Sequence, residues 1–224
     1  MAELSYKCLV LDHDDTTVKS TPDIHYPQWL ETLKVLRPQT KMTLEEFMRL
    51  NCDIGFYRMR DEVMRFTEQE REIQDILWRE YMKTHVASFY DGMAEIITDF
   101  HRAGGIVCVC THNSADHILR DYEVRFKGEF KPDIIFDHDK YPGHLKPDPF
   151  ALKEIMRIYD LSPHEMLMVD DMKPGYDMAK SAGVPFAGAG WSHIVPQIKN
   201  LMRENSDFYL ETTEQLRDLL FKKD

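Results

Sequence analysis

The segment Tyr6-Lys7-Cys8-Leu9-Val10-Leu11 is short and dominated by apolar side chains, and it stops abruptly at Asp12-His13-Asp14-Asp15-Thr16. A strand in a parallel sheet reads in this way, because a sheet covered on both sides leaves no polar face to alternate with. Runs of the same kind recur at 106–110, 134–136, 166–169 and 184–187, with a late one at 208–210. Helical patterns lie between them at 93–102, 115–124, 150–159 and 176–182. Strands alternating with helices of this length connect by right-handed crossovers. The expected fold class is α/β, with a doubly wound and mostly parallel sheet.

The stretch 20–88 breaks this rhythm, since it contains no credible strand. Two of its helix starts carry the reciprocal Thr-x-x-Glu capping pattern, Thr43 with Glu46 and Thr67 with Glu70. After the second start, Ile73, Ile76, Leu77, Tyr81 and Thr84 recur at helical spacing and predict the packed face of that helix. The stretch reads as a second, smaller all-helical domain at 20–88, inserted into an α/β domain made of 1–19 and 89–224. The competing reading is one α/β domain with long excursions.

Composition excludes several classes. A net charge of -11 argues against a nucleic-acid binder, because phosphate backbones demand clustered Lys and Arg. No run of about 18 apolar residues exists, so no membrane span is expected. The opening residues lack a charged segment followed by an apolar signal core, which makes the cytoplasm the expected location. Four cysteines at irregular spacing fit neither a disulfide framework nor a zinc site.

The chemistry-bearing residues fall at the ends of the expected strands, where ligands of open α/β sheets bind. The first strand delivers Asp12 and Asp14, which share a facing parity on extended backbone. An acidic turn capping the next segment is the plainer reading of these two alone. The second strand delivers Thr111-His112-Asn113-Ser114 into a helix start, a place suited either to phosphate or to simple capping. The strand at 166–169 delivers Asp170-Asp171. Beside Asp12 these acids would repel strongly unless a cation sat among them, and oxygen-only ligands suit Mg²⁺. Lys146 stands in a turn, followed by Pro147-Asp148-Pro149.

In this order the four segments resemble the haloacid dehalogenase-like hydrolase superfamily over nearly the whole chain. Its D-x-D-x-T motif is matched by Asp12, Asp14 and Thr16. Its Thr or Ser after an apolar strand is matched by Thr111, its K-P-x-P lysine by Lys146, and its acidic pair by Asp170-Asp171. The helical insert looks like the family's helical cap, as in relatives of phosphoglycolate phosphatase and β-phosphoglucomutase. Some positions depart from the commonest pattern: Asp15 stands where glycine is usual, His13 where an apolar residue is usual, and Thr17 where an aliphatic is usual.

The resemblance implies phosphoryl transfer from a small phosphorylated metabolite through an aspartyl-phosphate. Asp12 would be the nucleophile, Asp14 the general acid and base, and Lys146 the charge that offsets anionic repulsion. Thr111, with backbone N–H groups near His112 and Asn113, would hold phosphoryl oxygens, and Thr16 is assigned with them to substrate binding. Mg²⁺ would be held by Asp12, the Asp14 backbone carbonyl, Asp170 and Asp171. In the cap, Arg58 and Arg60 in Gly55-Phe56-Tyr57-Arg58-Met59-Arg60 read either as a selectivity element for an anionic substrate or as a solvated helix start. Thr21-Pro22-Asp23-Ile24-His25 matches a mutase segment displaced by one residue, which makes His25 a candidate substrate contact. Asp14 argues for a phosphatase or a phosphomutase over dehalogenase relatives. A catalytically idle phosphate- or partner-binding member is the reading from another class. The assembly expected is a monomer or a weak homodimer.

Overall fold

The computed structural model describes residues 3–222. β1 (Cys8–Leu11) leads into helical chain: a π-type turn at Thr21–His25, α1 (Tyr26–Leu36), α2 (Leu44–Ile54), a short α3 (Phe56–Arg58), a second π-type turn at Met59–Val63, and α4 (Glu68–Met82). The alternating part follows as α5 (Met93–Arg102), β2 (Ile106–Cys110), α6 (Ala115–Phe126), β3 (Ile134–Phe136), α7 (Phe150–Tyr159), β4 (Met166–Asp170) and α8 (Lys173–Ala182). It ends with β5 (Phe186–Ala189), α9 (Pro196–Asn205), β6 (Phe208–Leu210) and α10 (Thr213–Leu220). No helix among the described residues is long and apolar enough to cross a membrane.

All six strands are parallel, in the order β3-β2-β1-β4-β5-β6. Every residue of β1 is fully buried although successive side chains point to opposite faces, so both faces of the sheet centre are covered. Leu9, Leu11, Val107, Val109, Leu167 and Val169 form one side of the core, together with Met93, Ile97 and Phe100 of α5. Cys8, Cys108 and Cys110 are buried free thiols, as expected of small hydrophobes.

The chain divides into two compact units, Lys19–Ser88 and the remainder. The helical unit has its own core of Trp29, Leu33, Phe47, Met59 and Phe66. Both capping boxes form: the Thr43 and Thr67 hydroxyls accept from Glu46 and Glu70 N–H, and the two glutamates return the bond. The boundaries of the units are closed by hydrogen bonds. Val18 bridges Phe89 within one unit, and Lys19 N–H donates to the Ser88 carbonyl at 2.8 Å within the other.

Two local expectations fail. The last parallel strand before β6 is Phe186–Ala189, not 184–187, because Val184 N–H closes α8 by donating to the Ala179 carbonyl beyond the left-handed Gly183. On α4 the residues turned inward are Gln74 and Met82, whereas Ile73 and Ile76 are 39% and 52% exposed. The inward line is i, i+4, i+8 through Gln74, half-buried Trp78 and Met82, and the Gln74 Oε1 accepts from the buried Arg60 guanidinium at 3.5 Å. Of the expected face, Leu77 and Tyr81 are half-buried, while Ile73 and Ile76 turn outward because the helix packs a hydrogen-bonding side chain in their place.

Candidate active site

β1, β2 and β4 end within one residue of one another, since Leu11 lies opposite Val109 on one side and Val169 on the other. The next residue of each strand therefore reaches the carboxyl edge in one row: Asp12, Cys110 and Asp170. Strand order reverses between β1 and β4, which is where an open α/β sheet leaves its crevice. Lys146 arrives from the segment between β3 and α7. Its Nζ donates to Asp12 Oδ1 at 2.7 Å and to Asp170 Oδ2 at 2.6 Å. Asp171 completes the group, so that Asp12, Asp170 and Asp171 each offer a carboxylate oxygen within 4.8 Å of the others.

Asp170 is wholly enclosed. Its Oδ1 accepts from Met172 N–H at 2.8 Å, and a side chain on Gly175 would meet its carboxyl carbon at 2.2 Å. Only glycine lets α8 start this close to the acid. The Thr16 hydroxyl donates to Asp171 Oδ1 at 3.3 Å.

Burial pushes the Asp12 carboxyl up to about 7; the Lys146 ammonium opposes the rise, and Asp170 and Asp14 reinforce it. Burial, then the charges of Asp170, Asp12 and Asp15, drives Asp171 well above the usual carboxylate range. Burial alone would lower Lys146, but the facing Asp12 and Asp170 carboxylates outweigh it and raise the lysine. Three buried carboxylates against one ammonium leave an excess of two negative charges when all are ionised. A divalent cation on oxygen donors matches that excess in sign, size and chemistry.

The other expected site residues lie around this group. Thr111 follows β2, and its hydroxyl accepts from Asn113 N–H at 3.0 Å. The Asp14 carboxylate stands apart from the acidic trio and accepts from the Asn113 amide at 3.3 and 3.2 Å. That amide is oriented by Ser114 N–H and His117 Nδ1, which donate to its oxygen at 2.8 and 3.0 Å. His112 donates from Nε2 to the Lys146 carbonyl at 3.0 Å, so its ring braces the lysine backbone. Burial pulls the His112 ring below the usual imidazole range.

Each departure from the family's first motif has a local reason. Asp15 has φ +54°, a conformation that glycine adopts freely and that Asp enters more readily than most residues. The Thr17 hydroxyl donates to the Asp12 carbonyl at 2.7 Å, and His13 is buried with Nε2 3.0 Å from Asp121 Oδ2. His25 and Arg58 belong to the helical unit. There the His25 ring packs on Trp78 with centroids 5.5 Å apart, and exposed Arg58 is engaged by Glu62 at 2.8 and 3.0 Å. Arg60 is held by Asp61 at 2.7 Å.

Two contributors were not foreseen. Trp191 Nε1–H donates to the Thr16 carbonyl at 3.1 Å, and His193 Nε2 lies 2.7 Å from the Asp171 carbonyl. Both follow the carboxyl end of β5, and that position is the signal that could have flagged them.

The family described as haloacid dehalogenase-like hydrolase matches residues 9–189, most of the chain and all of the acids just described. The chain belongs to the haloacid dehalogenase-like hydrolases. Among curated relatives, a phosphoglycolate phosphatase of Vibrio vulnificus is 24% identical over 231 residues, covering 98% of each chain. One of Photobacterium profundum is 29% identical over 131 residues, covering 58% of this chain and 56% of the relative. Among solved structures, a predicted phosphoglycolate phosphatase from Haemophilus somnus superposes with a TM-score of 0.74 at 18% identity, covering 95% and 96% of the two chains. CbbY from Rhodobacter sphaeroides, solved in complex with phosphate, gives a TM-score of 0.70 at 19% identity, covering 94% and 96%. The likeness to these structures is one of fold. The chain is an enzyme of a haloacid dehalogenase-like family, with phosphatases as full-length relatives.

Proposed function

We propose that the chain is a Mg²⁺-dependent phosphatase that hydrolyses a small phosphorylated metabolite through an aspartyl-phosphate on Asp12. The observation that carries this reading is the Lys146 ammonium seated between Asp12 and Asp170 at the crevice of the sheet, with Asp171 alongside. Asp12 attacks phosphorus and forms a covalent bond as the substrate oxygen departs, splitting one displacement into two easier ones. Lys146 favours the ionised form of the attacking carboxylate against its burial and offsets its repulsion from the incoming dianion. Asp14 gives its proton to the leaving oxygen and later takes one from the water that cleaves the intermediate. Asn113 holds the Asp14 carboxylate for that exchange. Thr111 and the N–H groups after it receive the phosphoryl oxygens at the start of α6. Asp12, Asp170, Asp171 and the Asp14 carbonyl would hold Mg²⁺, which supplies charge neutralisation of the transferring group.

Phosphoglycolate is the first substrate to test, on the strength of the curated relatives. The phosphomutase reading draws on the segment Thr21-Pro22-Asp23-Ile24-His25, where the His25 ring packs on Trp78 within the helical unit. The deciding experiment is Asp12→Asn, which keeps shape and removes the nucleophile. Turnover of phosphoglycolate or an aryl phosphate should fall by several orders of magnitude. A purified, folded variant that kept more than about a tenth of the wild-type kcat would overturn the covalent mechanism. Wild-type hydrolysis of aryl phosphate but not phosphoglycolate would overturn the substrate alone.

A further inference from the structure

The short turn Gly190–Ser192 after β5 reaches two separate acid-bearing loops. It is closed by the Ser192 hydroxyl, which donates to the Ala189 carbonyl at 3.0 Å. Trp191 ties it to the Thr16 carbonyl and His193 ties it to the Asp171 carbonyl. Thr16 and Asp171 are themselves joined side chain to side chain. Trp191, Thr16, Asp171 and His193 thus form a closed ring of contacts, and the Asp171 carboxylate is the member that also belongs to the acidic trio.

The chemistry of the ring defines its hydrogens. A carbonyl only accepts, so His193 carries its proton on Nε2 and donates to Asp171. The neutral ring then presents a lone pair at Nδ1, and the Tyr209 hydroxyl lies 3.0 Å away to donate to it. Tyr209 is held in turn. A side chain on Gly190 would meet its ring at 2.5 Å, and the Arg203 guanidinium covers its face at 4.9 Å. The relay matters because Asp170, opposite Gly188, is the last residue of β4 in the sheet ladder. Asp171 lies one residue beyond the ladder, so contacts outside the sheet, the His193 bond to its carbonyl among them, must set its backbone.

We propose that His193, oriented by Tyr209, is a positioning residue that sets the backbone of Asp171 and so aims its carboxylate at the cation site. The proposal deepens the reading above and rests on Asp171 holding Mg²⁺. The test is calorimetric titration of Mg²⁺ into wild type, His193→Leu, His193→Gln and Tyr209→Phe, with melts of each in the presence and absence of metal. Loss of an outer partner of a metal ligand typically costs 10–100-fold in affinity, and His193→Leu is expected to fall in that range. His193→Gln keeps one N–H and one acceptor and should recover most of the affinity. Tyr209→Phe removes one hydroxyl and should weaken binding by a smaller factor. Saturating Mg²⁺ should restore kcat in all three.

A merely structural role would lower the metal-free melting temperature and leave Mg²⁺ affinity alone, and that result would overturn the proposal. So would a folded Gln variant binding as poorly as the Leu variant. If His193→Leu does not fold, Tyr209→Phe decides, and wild-type affinity there overturns the relay. Wild-type protein that binds no Mg²⁺ would instead sink the metal reading itself.

Discussion

The mechanism proposed for Asp12 needs an anion in a place where burial resists ionisation. With the folded carboxyl at about 7 and an unfolded value near 3.9, the folded chain keeps a proton across that interval that the unfolded chain has released. Stability from this group is therefore complete below about pH 4 and is lost as pH rises through about 7. Asp171, raised for the same reason, acts in the same direction. The metal-free protein is expected to melt progressively lower between pH 5 and 7.5 on this account, with Asp12→Asn flattening the slope and Mg²⁺ raising the upper end. Scanning calorimetry across that window checks it; equal slopes for wild type and Asp12→Asn would contradict it. Gly175 gives a second prediction. Gly175→Ala drives a methyl group into the fixed Asp170 carboxyl and should cost about 1–3 kcal/mol by denaturant unfolding. Asp170→Ala in the same chain should return much of that loss, as coupled neighbours do. Asp12, Asp170 and Asp171 are legible in the sequence because strand ends expose them as abrupt changes from apolar to charged, and Lys146 is legible through the prolines that follow it in its turn. Trp191 and His193 are not, because they bind backbone carbonyls, and a carbonyl leaves no trace in residue identity.

Helix starts were the most legible elements. Thr67 and Glu70 announce α4, and the Glu70 carboxyl is held at about 2 by Arg37 first and the Thr67 backbone second. Thr67→Ala should destabilise the helical unit by about 1 kcal/mol in urea melts. Interiors of helices were less legible than their starts. Periodicity places α4 and its half-buried Leu77 and Tyr81 but also counts Ile73 and Ile76 inward, since it weighs apolar side chains and gives no weight to a buried Gln74. Ile76→Lys should therefore change stability by less than about 0.5 kcal/mol, whereas Met82→Ala should cost about 2 kcal/mol or more. A reversed ranking would restore the periodic face. α9 and α10 are less legible, although Thr212 with Gln215 makes a capping box of the glutamine kind. β5 reads two residues early because Gly188 and Ala189 are too small to look like a strand, while the smallness of Gly188 is what admits Tyr209 and Ser206.

At the scale of the whole molecule, the α/β unit holds Asp12, Asp14, Thr111, Lys146, Asp170 and Asp171 on its own, and each unit has a separate core. Replacing 20–87 by a short Gly-Ser linker should leave a cooperatively melting domain that Mg²⁺ still stabilises, measured as a metal-induced rise in melting temperature. An unfolded product would show that the two cores are not independent. The paired crossings at Val18–Phe89 and Lys19–Ser88 also bear on the order of assembly. Joining β1 to β2 means bringing together segments about 95 residues apart in the chain, from Leu11 to Ile106. When the helical unit has already formed and closed its ends, only about 25 of those residues remain as slack. By loop-closure entropy the difference is about 1 kcal/mol, taken off the search that the sheet must complete. Local helices that collapse early thus act as a knot drawn in a long string, and a chain whose knot is loosened by Trp29→Ala should bring its first two strands together several-fold more slowly.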